Sequence, residues 1–172
     1  LVGRISTIHG AAMNDQSLNL SILIVSWNTR DLLCECLDSI YRLLDSSIKF
    51  ETIVVDNASS DGTAAAVHEM FPQVKLIENE QNLGFAPGVN QAAAEAAGRF
   101  FLLLNSDAKF LDGNFTELMH AMTEDETIGI IGGSVIMDGN RKTWRCYSFP
   151  SFIHLVKNYS IDLIHKVGRS AI

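Results

Sequence analysis

Stretches without polar alternation recur along the chain: LSILIVS at Leu20–Ser26, FETIVV at Phe50–Val55, FFLLL at Phe100–Leu104 and IGIIGGSVI at Ile128–Ile136, with a shorter one at Val74–Ile77. Such runs suit strands covered on both faces, because neither side of the strand then meets water. Between them, apolar residues return at three- and four-residue spacing, which gathers them on one helix face. Leu32, Leu33, Cys36, Leu37, Ile40 and Leu44 form one stripe, and Val67, Met70 and Phe71 form a second that Pro72 ends. The alanine-rich stretch Asn90–Ala97, closed by Gly98, predicts a third helix, and Phe115, Leu118, Met119 and Met122 predict a fourth. Strands alternating with helices over short links predict right-handed crossovers, hence an α/β fold with a mainly parallel sheet and helices on both faces.

The regular alternation runs from about residue 18 to about residue 140. Residues 19–150 are expected to form one domain, and residues 1–18 a leader outside it, with Met13 as the expected natural start. Residues 151–172 are expected to form a helical tail in which Phe152, Leu155, Val156, Tyr159 and Leu163 share a face, the start of a further region. Packing on the domain or a partner is the expected use of that face, with peripheral contact to a membrane surface as the alternative.

In an open parallel sheet, ligands bind beyond the carboxyl ends of the strands, where loop amides and helix N-termini converge. The first strand is followed by Trp27, Asn28, Thr29 and Arg30, and the second by Asp56, Asn57, Ala58, Ser59, Ser60 and Asp61. The third is followed by a segment from Glu78 through Asn82 and Gly84 to Phe85, and the fourth by Asn105, Ser106 and Asp107. Taken singly, each cluster has an ordinary structural role. Asp56, Ser59, Ser60 and Asp61 suit helix caps, Asn82 and Gly84 suit a turn with positive φ at the glycine, and Asn105 to Asp107 suit a polar turn. Together, an aromatic, carboxylates and amides on one sheet edge suit a nucleotide whose diphosphate is bridged by a metal ion. Trp27 would line the base, Asp56 would accept from a base N–H, and Asp107 would hold the cation.

Other readings fail on particular residues. The loop after the first strand, WNTRD, has no glycine, so a G-x-G-x-x-G dinucleotide fingerprint is absent, and no P-loop occurs. A receiver-type pocket needs an acidic pair where Trp27 and Asn28 stand, and the histidines and cysteines show no zinc spacing. With 13 basic against 20 acidic side chains and a net charge of −7, the chain has no concentrated basic face for nucleic acid. Three cysteines, of which Cys34 and Cys36 sit two apart on a predicted helix, fit a reducing compartment. The first 18 residues carry no signal-peptide pattern, and the expected location is the cytoplasm, with the inner face of the membrane as the alternative site.

The successive segments SILIVSWNTRDLLCECLDSI, ETIVVDNASSDGT and LIENEQNLGFAPGVNQAAAEAAGRFFLLLNSDAKF resemble the signatures of the family 2 glycosyltransferases, which have the GT-A (Rossmann-like) fold. Within that family the chain is most similar to bacterial rhamnosyltransferase-like enzymes of cell-surface polysaccharide assembly. The resemblance runs from about residue 20 to about residue 150, where an MDGN turn and RCYSFPS also match. It implies binding of a nucleotide-diphospho-sugar, with UDP or dTDP as the expected nucleotide, and transfer of the sugar with inversion to a saccharide or lipid-linked acceptor. By resemblance, Trp27 and Asn28 line the nucleotide, Asp56 contacts base or ribose, and Asn82, Gly84 and Asn90 lie beside the donor. Asn105, Ser106 and Asp107 match the metal-binding D-x-D motif in a softened N-x-D form, and Asp107 is then the ligand of Mg2+ or Mn2+. Asn105 replaces a carboxylate by a neutral amide, and Pro87 stands where the subgroup commonly has arginine, so both cation and donor affinity are expected to be reduced. No catalytic base is assigned. The alternatives are a nucleotide-sugar-binding module without turnover and, from a different class, a nucleotidyltransferase, which would need a glycine-rich basic loop after the first strand.

Overall fold

The computed structural model describes residues 19–111, 115–125, 127–132, 135–137 and 141–143. The expected leader and C-terminal tail lie outside the described residues. The chain divides between Gly129 and Ile130 into two compact units.

In the first unit four strands, β1 (Leu20–Ser26), β2 (Phe50–Asp56), β3 (Lys75–Glu78) and β4 (Phe100–Asn105), form one parallel sheet in the order β3-β2-β1-β4. The helices α1 (Arg30–Leu43), α2 (Thr63–Met70), α3 (Phe85–Ala94) and α4 (Phe115–Glu124) alternate with them. The α/β class with a parallel sheet is as the apolar runs predict. The chain builds outward from β1 through β2 to β3, then returns to place β4 on the other side of β1. That reversal creates a crevice at the carboxyl ends of β1 and β4, the switch point where open α/β sheets bind ligands.

Pleating divides the core into two layers. Leu20, Ile22 and Ile24 of β1 and Val54 of β2 meet Leu33, Cys36, Leu37 and Ile40 of α1 and Val67 of α2. On the opposite face Leu23, Ile53 and Val55 meet Ala92 of α3. The small side chain of Ala92 and a glycine at position 88 let α3 lie close: a Cβ on Gly88 would come 2.9 Å from Val25 Cγ1.

The structure departs from the sequence pattern in four places. The β4 run does not bury both faces: Phe101 and Leu103 are 44% and 53% exposed, because α3 packs on β1 and β2 and leaves that side of the edge strand uncovered among the described residues. The third helix starts at Phe85, not Asn90, and ends at Ala94. Gly84 at φ 87° makes the turn into it, and Pro87 sits in its first turn, where a missing N–H breaks no helical bond. Gly98, read as a helix stop, instead lets the chain pass against β1, since a Cβ there would lie 2.5 Å from the Ser21 nitrogen. Finally, the run at 128–136 is irregular through Gly132, as glycines that add no side-chain packing weaken a strand.

In the second unit, β5 (Val135–Met137) pairs antiparallel with β6 (Arg141–Thr143). Among the described residues no helix is long and apolar enough to cross a membrane.

Candidate functional site

The carboxyl ends of all four parallel strands carry polar loops, and side chains lace these loops together. After β1, Trp27 is 55% exposed and Asn28 adopts φ 53°, a left-handed conformation that asparagine tolerates. The Asn28 N–H donates to Ser59 Oγ at 2.8 Å, and its Oδ1 accepts the Ser60 N–H at 2.8 Å. The β1 and β2 loops are therefore fixed to each other through the residue that the sequence assigns to the nucleotide.

Asp56 ends β2 and is only 3% exposed. One carboxylate oxygen accepts the Ser59 N–H at 3.2 Å and the other accepts the Ser59 hydroxyl. Its carboxylate thus braces the turn that presents Ser59 to Asn28. The next carboxylate, Asp61, accepts the Arg30 N–H at 2.9 Å and the Thr63 N–H at 3.1 Å, serving the N-termini of α1 and α2 at once. An open hollow of about 330 Å3 borders Asn28 to Leu32 and Asp61 and includes no residue of the β4 turn.

On the other side of β2 lies a set of linked amides. Asn79 donates to Asn57 Oδ1 and to Gln91 Oε1, each at 2.9 Å, while Gln91 returns a bond to Asn79 Oδ1. Asn57 is nearly inaccessible and donates to the Gly84 carbonyl at 3.2 Å, and Asn82 Oδ1 accepts the Gly84 N–H at 2.8 Å. Asn82 and Gly84 therefore form a braced turn at the edge. Asn90 lies exposed on α3 and has no hydrogen bond to those two residues.

The β4 turn is held from beneath by α1. Cys36 Sγ lies 3.8 Å from the Asn105 carbonyl, Ser39 Oγ accepts the Phe110 N–H at 3.0 Å, and Glu35 pairs with Lys109. Burial, followed by the nearby Asp107 charge, pushes the Cys36 thiol up to about 12, which keeps it protonated. Asn105 and Asp107 are exposed, while Ser106 between them is 8% exposed. The Asp107 carboxylate has no hydrogen-bond or ion-pair partner among the described residues. There is also no group of three or more His, Cys, Asp or Glu side chains able to hold a metal ion among them. An exposed, uncommitted carboxylate fits a hard divalent cation that draws most of its oxygen ligands from a diphosphate and water.

Sequence reasoning missed Asn57, Asn79, Gln91 and the double role of Asp61. A buried Ser39 within the apolar stripe of α1 was one available signal, since a polar group there must serve a neighbour.

Comparison with known proteins agrees with this architecture. The putative teichuronic acid biosynthesis glycosyltransferase TuaG of Bacillus subtilis is 29% identical over 149 residues, spanning 83% of this chain and 55% of TuaG. The chain thus spans about half the length of that relative. Among solved structures, Staphylococcus aureus TarS in complex with UDP matches with a TM-score of 0.57 at 24% identity, over 62% of this chain and 32% of TarS, a likeness of fold. The mannosyltransferase PcManGT of Pyrobaculum calidifontis, in complex with GDP-Man and Mn2+, matches with a TM-score of 0.52 at 29% identity over 64% of this chain and 33% of PcManGT. The fold is that of the GT-A neighbours. Since the family model described as glycosyl transferase family 2 matches residues 21–169, the chain belongs to that family.

Proposed function

We propose that this chain forms the donor-binding part of an inverting glycosyltransferase that moves a sugar from a nucleotide-diphospho-sugar to a saccharide or lipid-linked acceptor in cell-surface polysaccharide synthesis. The observation that carries the reading is the crevice between β1 and β4, with exposed Trp27 and Asn28 on one side and the uncommitted Asp107 carboxylate on the other. Its chemistry suits a base and a diphosphate in one ligand. The likeness to TuaG, a putative teichuronic acid biosynthesis glycosyltransferase, and to PcManGT, in complex with GDP-Man and Mn2+, supports the same reading. The narrower rhamnosyltransferase-like assignment rests on the motif resemblance, and a place in the cytoplasm, with the inner face of the membrane as the alternative, rests on the cysteines and on the lack of a signal-peptide pattern in the first 18 residues.

Asp107, with Asn105 beside it, would hold Mg2+ or Mn2+. Such an ion supplies charge neutralisation to a departing diphosphate. The protein's own groups do the remaining work. Trp27 offers an aromatic face to a base, the Asn28–Ser59–Ser60 lattice braces the loop that carries it, and the braced turn at Asn82 and Gly84 borders the donor. Inversion also needs a carboxylate to take the acceptor proton. Asp56 and Asp61 are engaged within the loops, which favours a second reading, a nucleotide-sugar-binding module without turnover. Calorimetric titration of UDP-, dTDP- and GDP-sugars with Mn2+, followed by a transfer assay on oligosaccharide and lipid-linked acceptors, tests both. Donor binding with transfer supports the first reading, donor binding without transfer the second, and no donor binding rejects both.

A further inference from the structure

We infer that Thr29 and Ser106 are positioning residues: a hydroxyl chain running from Ser26 through Thr29 to Ser106 spans the β1/β4 crevice and sets the Asn105–Asp107 turn against the nucleotide loop. The inference rests on the donor-site reading above and adds what aligns the site's two halves.

Thr29 is the N-cap residue of α1, a position where threonine ordinarily bonds its own helix. Here its side chain makes no cap bond. The Thr29 hydroxyl instead lies 2.8 Å from Ser26 Oγ and donates to Ser106 Oγ at 3.0 Å, joining loops 77 residues apart. The capping function passes to Asp61, which accepts the Arg30 N–H. A capping residue whose hydroxyl is redirected, with its cap supplied from another loop, has been placed for the bridge.

Counting protons gives the chain a direction. Each hydroxyl carries one proton. Thr29 gives its proton to Ser106, so the bond between Ser26 and Thr29 takes its proton from Ser26. The Ser106 proton then has no acceptor among the described residues, although Ser106 is more than nine-tenths buried. It lies between Asn105 and Asp107, at the place where an anionic ligand would approach. Because β1 and β4 pair through Val25 and Asn105 at this end, the bridge continues the sheet's own register into the loops.

The test uses the full chain with UDP, Mn2+ and uridine, the last as a probe that has no diphosphate. Thr29→Val keeps the shape and removes the hydroxyl, Thr29→Ser keeps the hydroxyl, and Ser106→Ala breaks the chain at its other end. Thr29→Val and Ser106→Ala are each expected to weaken UDP binding in Mn2+ about five- to tenfold while uridine binding stays within about twofold. Thr29→Ser should restore wild-type behaviour. The double variant Thr29→Val/Ser106→Ala should be no weaker than the weaker single one, since both break one bridge. Thermal melts separate this from loss of folding. A Thr29→Val protein that melts lower but binds UDP with Mn2+ as well as wild type overturns the positioning role. Absence of Mn2+-dependent UDP binding in the wild type is a different result, which overturns the donor-site reading and the inference with it.

Discussion

Asp61 accepts the backbone N–H of Arg30 at 2.9 Å, so the carboxylate that follows β2 caps the helix that follows β1. Its other oxygen takes the N–H and the hydroxyl of Thr63 at the start of α2. One side chain therefore serves two helix N-termini, where backbone N–H groups lack partners and the helix dipole favours negative charge.

Asp61→Ala is expected to cost about 1–2 kcal/mol of folding stability, the range for losing a cap with its charge. Asp61→Asn should cost less, because its side-chain oxygen still accepts. Urea denaturation of the three proteins measures the difference.

The same geometry fixes a pH dependence. Desolvation raises the Asp61 carboxyl, but bonds from the Thr63 hydroxyl and the Arg30 and Thr63 N–H groups outweigh it and hold the group below its ordinary value. A lowered folded-state value means that the stabilisation is complete above the unfolded carboxyl value of about 3.9 and is lost as pH falls through the folded one. The stability gap between wild type and Asp61→Asn should be constant above about pH 5 and shrink below about pH 4. Denaturant titrations from pH 3 to pH 7 provide the check.

Gly98 and Gly129 make a contrasting pair. A Cβ at Gly98 would press on the backbone of Leu20 and Ser21 at 2.6 and 2.5 Å, whereas one at Gly129 meets nothing within 4 Å. Gly98→Ala should destabilise by about 1–3 kcal/mol, or more, as overpacking does. Gly129→Ala should lie within about 0.5 kcal/mol of wild type. Thermal denaturation of both variants decides it.

Much of this was legible in the residues because two periodicities carry it. The continuous runs LSILIV and TIVV give the central strands β1 and β2, and the stripe Leu33, Cys36, Leu37 and Ile40 gives α1. The strand-end clusters also fall on one edge, since parallel strands share a direction. What could not be read were bonds between loops distant in sequence. Thr29 and Ser106 look like ordinary polar loop residues until β4 is placed beside β1, and the bonds by which Asp56 braces Ser59 have no signature in the sequence. The cover over each strand was equally hidden: FFLLL reads as a doubly covered strand, yet Phe101 and Leu103 stay exposed because α3 packs on β1 and β2 and, among the described residues, nothing covers that face of β4.

Cysteine chemistry reports on the packing beneath the site. Cys36, buried under the Asn105 carbonyl with its thiol pushed up to about 12, should resist alkylation at pH 8 until the protein unfolds. Cys34, two residues earlier and partly exposed, should react before Cys36. Mass spectrometry of iodoacetamide-treated peptides, with and without urea, distinguishes the two.

The central claim is that the crevice between β1 and β4 binds a nucleoside diphosphate through a cation held by Asp107. Its most direct test is UDP affinity by calorimetry, with Mn2+ and with chelator, in wild type and in Asp107→Ala. Asp107 is exposed and unpartnered among the described residues, so the variant should fold with a stability change within about 0.5 kcal/mol. The account predicts at least tenfold tighter UDP binding with Mn2+ in the wild type, no such enhancement in Asp107→Ala, and equal uridine affinity in the two proteins. An Mn2+ enhancement that survives in Asp107→Ala would contradict it.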